Sequence, residues 1–128
     1  MHELISVSLG LLIDVKNNNV SVKMANSLKD YYRLIDCDVI DIVKRCIGGK
    51  YYNIICDDEG LLKENIIISA IDTERKPMLV GNLIVAGDTD DEGELLSLTD
   101  KDVDNILKHV KTAYTRSLTH PVLVNVEY

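Results

Sequence analysis

The chain has 128 residues, 46% hydrophobic and 27% charged, which excludes disorder and leaves room for one hydrophobic core. Twenty-one acidic against 14 basic residues give a net charge of −7, so a phosphate backbone meets repulsion and no non-specific nucleic-acid binding is expected. Three widely spaced cysteines without a Cys-x-x-Cys pair predict a reducing, cytoplasmic setting, and apolar runs far short of the about 20 residues that span a bilayer predict no membrane partner.

The first residues alternate like a strand and not like a signal peptide. From Leu4 to Val15 the chain is rich in Leu, Ile and Val; Asn17-Asn18-Asn19 interrupts it, and Val20 to Met24 resumes alternation. Asn tolerates the left-handed backbone of a tight turn, so this stretch predicts a hairpin. Asn26 or Ser27, the latter with Asp30 as its capping-box partner, caps a short helix whose apolar face is Leu28, Tyr31, Tyr32 and Ile35. Asp38 to Cys46 and Lys50 to Cys56 read as a second hairpin, turned by Gly48-Gly49, which supply positive φ at no steric cost. Asp57-Asp58-Glu59-Gly60 ends it as a polar turn.

Asn65 to Ile71 predicts a strand, and Met78 to Ala86 one more, interrupted at Gly81 by a bulge or a close backbone approach. Gly87 opens an acidic segment: from Asp88 to Asp104 there are eight carboxylates against Lys101 alone. Thr99 caps a second helix with Asp102 three residues on, and Val103, Ile106, Leu107, Val110 and Ala113 or Tyr114 form its stripe. Val122 to Glu127 predicts a last strand, which must join the sheet or a second subunit because an unpaired valine-rich edge aggregates. Together these elements predict a single α+β domain over residues 1–128. Its mostly antiparallel sheet has six to seven strands, and its two short amphipathic helices run over 27–35 and 99–113.

The run Asp36-Cys37-Asp38-Val39-Ile40-Asp41-Ile42-Val43, with Ile47-Gly48-Gly49-Lys50-Tyr51-Tyr52 through Gly60, resembles a family of small proteins from phages, plasmids and conjugative elements, classed as domain of unknown function 3846. Leu79-Val80-Gly81-Asn82, Asp91-Glu92-Gly93-Glu94 and Ser97-Leu98-Thr99-Asp100 resemble its valine-glycine strand, acidic glycine turn and helix start. The resemblance covers Asp36 to His109 and leaves out the first hairpin and the last strand. It implies a bacterial mobile element as the setting and, by analogy, a host defence component as a partner, but no activity.

Candidate chemistry is sparse. Asp88-Thr89-Asp90-Asp91-Glu92-Gly93 opens like a calcium loop, yet its twelfth position is Thr99 where a bidentate Glu belongs, so a solvated acidic turn is the simpler reading. Cys37, Cys46 and Cys56 stand nine and ten residues apart, spacings that suit no common zinc template with His109 or His120. They read as small buried hydrophobes; a Cys-His nucleophile pair would need a spatial contact that sequence does not display. Gly48-Gly49-Lys50 lacks the spacing, hydroxyl and helix of a phosphate loop. Of the Tyr31-Tyr32 and Tyr51-Tyr52 pairs, half are expected in the core and half on a surface that suits a partner.

The expected function is therefore non-enzymatic, with no cofactor and no metal. A host protein would be bound through a sheet edge or an acidic face of Asp88, Asp90, Asp91, Glu92 and Glu94 that imitates the charge track of nucleic acid. The alternative is a small-ligand-binding homodimer or higher oligomer, its inter-subunit pocket lined by Tyr51, Tyr52, Arg45 and Arg116, with Arg33 and Arg75 as further basic candidates. A minor enzyme or metal protein is the third possibility.

Overall fold

The computed structural model describes residues 8–25, 27–62, 67–72, 74, 76–91, 93, 95–112 and 122–127. The first hairpin pairs β1 (Ser8–Asp14) with β2 (Asn19–Ala25), from Ser8 opposite Ala25 to Asp14 opposite Asn19. Asn18 takes the turn at φ 51°, and the Asp14 carboxylate accepts from the Asn17 backbone N–H and side-chain amide at 3.1 and 2.8 Å. Next comes α1 (Leu28–Ile35), with Ser27 as its N-cap; the Ser27 hydroxyl makes no capping hydrogen bond, so the expected box is not closed. Its tight exit runs through Asp36 in the left-handed region at φ 63°. The second hairpin, β3 (Ile40–Ile47) and β4 (Lys50–Asp57), turns on Gly48 and Gly49 at φ 58° and 85°, the two positive values a two-residue hairpin loop demands.

A single 3-10 turn (Gly60–Leu62) follows, then β5 (Ile68–Ile71), β6 (Pro77–Val80), β7 (Leu83–Ala86), α2 (Asp100–Leu107), β8 (Val110–Thr112) and β9 (Val122–Asn125). The strands form two sheets, one ordered β2-β1-β7-β4-β3 and entirely antiparallel, the other β6-β5-β9-β8 with one parallel pair, β5 and β9. The α+β class with mostly antiparallel pairing is thus borne out.

Strand alternation sorts the core onto both faces of the five-stranded sheet. Leu11, Ile13, Tyr52, Ile54, Leu83 and Val85 face the second sheet and α2, packing with Ala70, Val124, Val126 and Ile106. On the other face Leu12, Ile55, Ile84 and Ala86 pack against Tyr31 and Ile35 of α1. The middle layer is covered on both sides, which is why all of Leu83–Ala86 is buried.

Two expected boundaries move. The single strand expected over Met78–Ala86 is two strands in different sheets. Gly81 at φ 76° turns the chain, its N–H bonds to Ile67 O at 2.8 Å, and buried Asn82 accepts from Val15 N–H at 2.9 Å. The second helix ends at Leu107 and not near residue 113. His109 N–H closes a tight final turn on Ile106 O, and the following β-branched residues pair with β9, Val110 opposite Val124 and Thr112 opposite Val122. Strand pairing outcompetes a helical stripe that Leu107, 44% exposed, does not continue. These two changes bring the described strands to nine, above the expected six to seven.

Candidate functional site

Two groupings of polar side chains stand out, one consumed by the fold and one open to solvent. The first joins the β3–β4 turn to the start of α2. Thr99 accepts from Asp102 N–H with its hydroxyl, and the Asp102 carboxylate returns to Thr99, so the expected capping box is closed. Asp102 is buried yet fully partnered: one oxygen accepts from Lys50 Nζ at 2.6 Å and Tyr52 Oη at 3.1 Å, the other from Thr99 N–H at 2.9 Å and its hydroxyl at 3.0 Å. Asn105 donates to Tyr52 Oη and to Ile47 O, both at 3.0 Å, while His109 Nδ1 meets Asn105 O at 2.8 Å.

Burial alone would raise the Asp102 carboxyl, but the hydrogen bonds from Lys50, Thr99 and Tyr52 outweigh it and hold the group at about 2. Burial raises the Tyr52 hydroxyl, and the hydrogen bond to Asp102 raises the Lys50 ammonium. A carboxylate so acidic beside donors that retain their protons is a poor proton shuttle at neutral pH. The chemistry of this cluster is that of a clip holding helix to hairpin.

The second grouping is a cleft of about 180 Å³ between the edges of the two sheets. Asp41 and Val43 of β3 and Cys56 of β4 form one wall, and Met78, Leu79 and Val80 of β6 form the other. Asp57, Asp58 and Leu61 lie along its mouth. The Cys56 thiol donates to Asp41 O at 3.7 Å, and burial, followed by the negative charges of Asp41 and Asp58, pushes it up to about 11. A thiol so far from ionising is a poor nucleophile at neutral pH. Iodoacetamide at pH 8 should leave Cys56 unmodified in the folded protein and alkylate it in urea, as peptide mass mapping would read. Prompt labelling of folded Cys56 would contradict the assignment.

Sequence-predicted site residues are scattered. Asp88 pairs with Lys44 at 2.9 Å, and that hydrogen bond, with one from Thr89 N–H, lowers its carboxyl. The loop is closed by a bridge between Thr89 and Leu95 and by Gly93 N–H bonding to Asp90 O; Asp91 is exposed. Glu92, Glu94, Arg75, Arg116 and His120 lie outside the described residues. Among the described residues no three His, Cys, Asp or Glu side chains are grouped to hold a metal ion. Tyr51 is 48% exposed on the α1 side of the sheet, while Tyr52 is wholly buried on the other, opposite Arg45 in the ladder. Arg33 pairs with Asp30.

The sequence alone places Asp41 in a hairpin strand and Asp57 and Asp58 in a polar turn, with none of the three in a site. A usable signal was present: Asp41 shares the parity of Val43 and Ile47, the core-facing residues of β3, so its carboxylate lies on the face between the sheets.

No curated protein and no solved structure matches the chain. A family model described as Domain of unknown function (DUF3846) matches residues 8–111, which includes the first hairpin that the sequence resemblance left out and stops short of β9. With that match spanning most of its length, the chain belongs to the DUF3846 family.

Proposed function

We propose that the protein acts by binding and not by catalysis, as a cytoplasmic accessory protein of a bacterial mobile element that presents carboxylates to a basic surface of a host protein. The sorting of charge supports this reading. Lys16, Lys44, Lys50, Lys76 and Arg33 each face a carboxylate of the same chain, at 2.6 to 3.2 Å. Outside these five pairs 16 acidic residues stand against nine basic ones, and Asp58, Asp91, Asp100 and Asp104 among them are exposed. Such a field steers a cationic partner and repels nucleic acid.

The test is capture from the bacterial host with the tagged protein and with a variant carrying serine at Asp88, Asp90, Asp91 and Glu92. A basic host protein should be retained by the parent, associate about tenfold more slowly from low to high salt, and be lost by the variant. Equal capture by both proteins would remove the acidic loop from the mechanism. The competing reading, a ligand-binding oligomer, gains no support from a chain whose Tyr51 and Tyr52 face opposite sides of one sheet. Native mass spectrometry showing a multimer with a bound small mass would reverse that preference.

A further inference from the structure

The cleft between the sheets combines features that the acidic loop lacks. β3 ends the five-stranded sheet and β6 ends the four-stranded one, so two sheet edges flank the same opening. Its interior is aliphatic, from Val43, Met78 and Val80, while Asp41, Asp57 and Asp58 make it negative; at Cys56 the opposing charge of Arg45 acts more weakly than Asp41 or Asp58 and more strongly than Asp57. Leu61 and Leu62 beside it are 73% and 80% exposed, the most exposed large aliphatic side chains among the described residues, and they extend the apolar surface at its mouth.

We propose that this cleft docks an extended segment of a protein partner, one carrying a lysine or arginine next to an aliphatic residue. The proposal rests on the binding function argued above and names the segment recognised. A cationic head is drawn to the rim carboxylates, and its methylene stem runs along Val43 and Met78, as amphipathic cations do. A bare metal ion would leave the aliphatic walls and Leu61 uncovered, and an anion would meet three carboxylates. Among the described residues β6 pairs with β5 alone, so its other edge suits an extended segment in the strand-addition mode, where pockets for alternate side chains set specificity.

The experiment uses the full chain and an array of extended peptides in which lysine or arginine is flanked by leucine, isoleucine or valine. Matched controls carry glutamate in place of the cation, and lysine amide serves as a free amine. Cationic peptides should bind with amide resonance shifts at Asp58, Leu61 and Leu79, and glutamate controls about tenfold or more weakly. Asp41→Asn with Asp58→Asn should weaken the cationic peptides about tenfold, and Leu61→Ser should weaken them without changing their salt dependence, with melting temperatures unaltered.

No binding anywhere in the array, equal binding of the glutamate controls, shifts confined to residues 88–91, or lysine amide binding as well as the peptides would each overturn the proposal. Its failure is separable from failure of the broader reading. A host partner captured equally by the Asp41→Asn and Asp58→Asn variant, but not by the four-serine loop variant, leaves acidic recognition standing and removes the cleft.

Discussion

Deleting the chain from Val122 onward is expected to unfold the protein and not merely trim it. β9 sits inside its sheet, parallel to β5 and antiparallel to β8, so its loss severs that sheet into a two-stranded remnant and a lone strand. Val124 and Val126, 0% and 1% exposed, fill the main core, and burying each contributes roughly 1.5–3 kcal/mol. Two more ties go with them: Val126 N–H to Ile71 O, and the mutual pair between Cys46 and Glu127 at 2.7 and 2.8 Å, which fastens the end of β3 to the second sheet. Together these exceed about 5 kcal/mol, the lower end of the net stability of an ordinary domain. Circular dichroism and amide NMR should show loss of the cooperative melt and of dispersed resonances. A truncated protein melting within a few degrees of the full chain would show that β9 is dispensable.

That strand was foreseeable as an element and not as a position. Its alternating valines announce a strand, but nothing local says that it inserts between β5 and β8. The same division runs through the molecule. Turns were legible wherever one residue type fits the backbone: Asn18 and Gly48-Gly49 sit at the positive φ values their chemistry predicts. The first helix was legible from its stripe, with Tyr31 and Ile35 buried as expected. Thr99 and Asp102 were legible as a cap, because the box is a three-residue relation.

Elsewhere distant partners decide the local structure. Residues 78–86 read as one apolar strand until Gly81 sends the halves to separate sheets, and Val110 and Thr112 suit either a stripe or a ladder until β9 supplies the ladder. The cleft could not be read for the same reason, since Asp41, Cys56 and Met78 meet only through packing of one sheet on the other. The acidic loop is conspicuous in the sequence because its charges cluster between Asp88 and Glu94. Yet Asp88 is engaged by Lys44, 44 positions earlier, a pairing that cross-strand neighbours create and sequence spacing conceals.

Asp102 links the most distant of these parts, and replacing it should have the largest effect of any single polar substitution. Asp102→Ala removes the acceptor for Lys50, for the buried Tyr52 hydroxyl and for Thr99 N–H, so donors are stranded as well as bonds lost. A cost of about 3 kcal/mol is expected, from a lost cap and an unsatisfied buried donor together. Asp102→Asn keeps the shape and should cost less, because Lys50 is 57% exposed and can turn to water.

The charge itself is read by pH. The folded carboxyl lies near 2 against 3.8 in the unfolded chain, so the unfolded state binds the proton first and the native state loses stability on acidification. That contribution is complete above about pH 5 and is lost as pH falls through about 2; solvent around Lys50 limits it to roughly 1–2 kcal/mol. Urea titrations should therefore show the gap between parent and Asp102→Asn closing across this window while Asp102→Ala remains destabilised at its lower end, because the missing hydrogen bonds persist when the missing charge no longer matters. A gap between parent and Asp102→Asn that stays constant from neutral pH to pH 2 would mean that the carboxylate is not the charged centre of the clip.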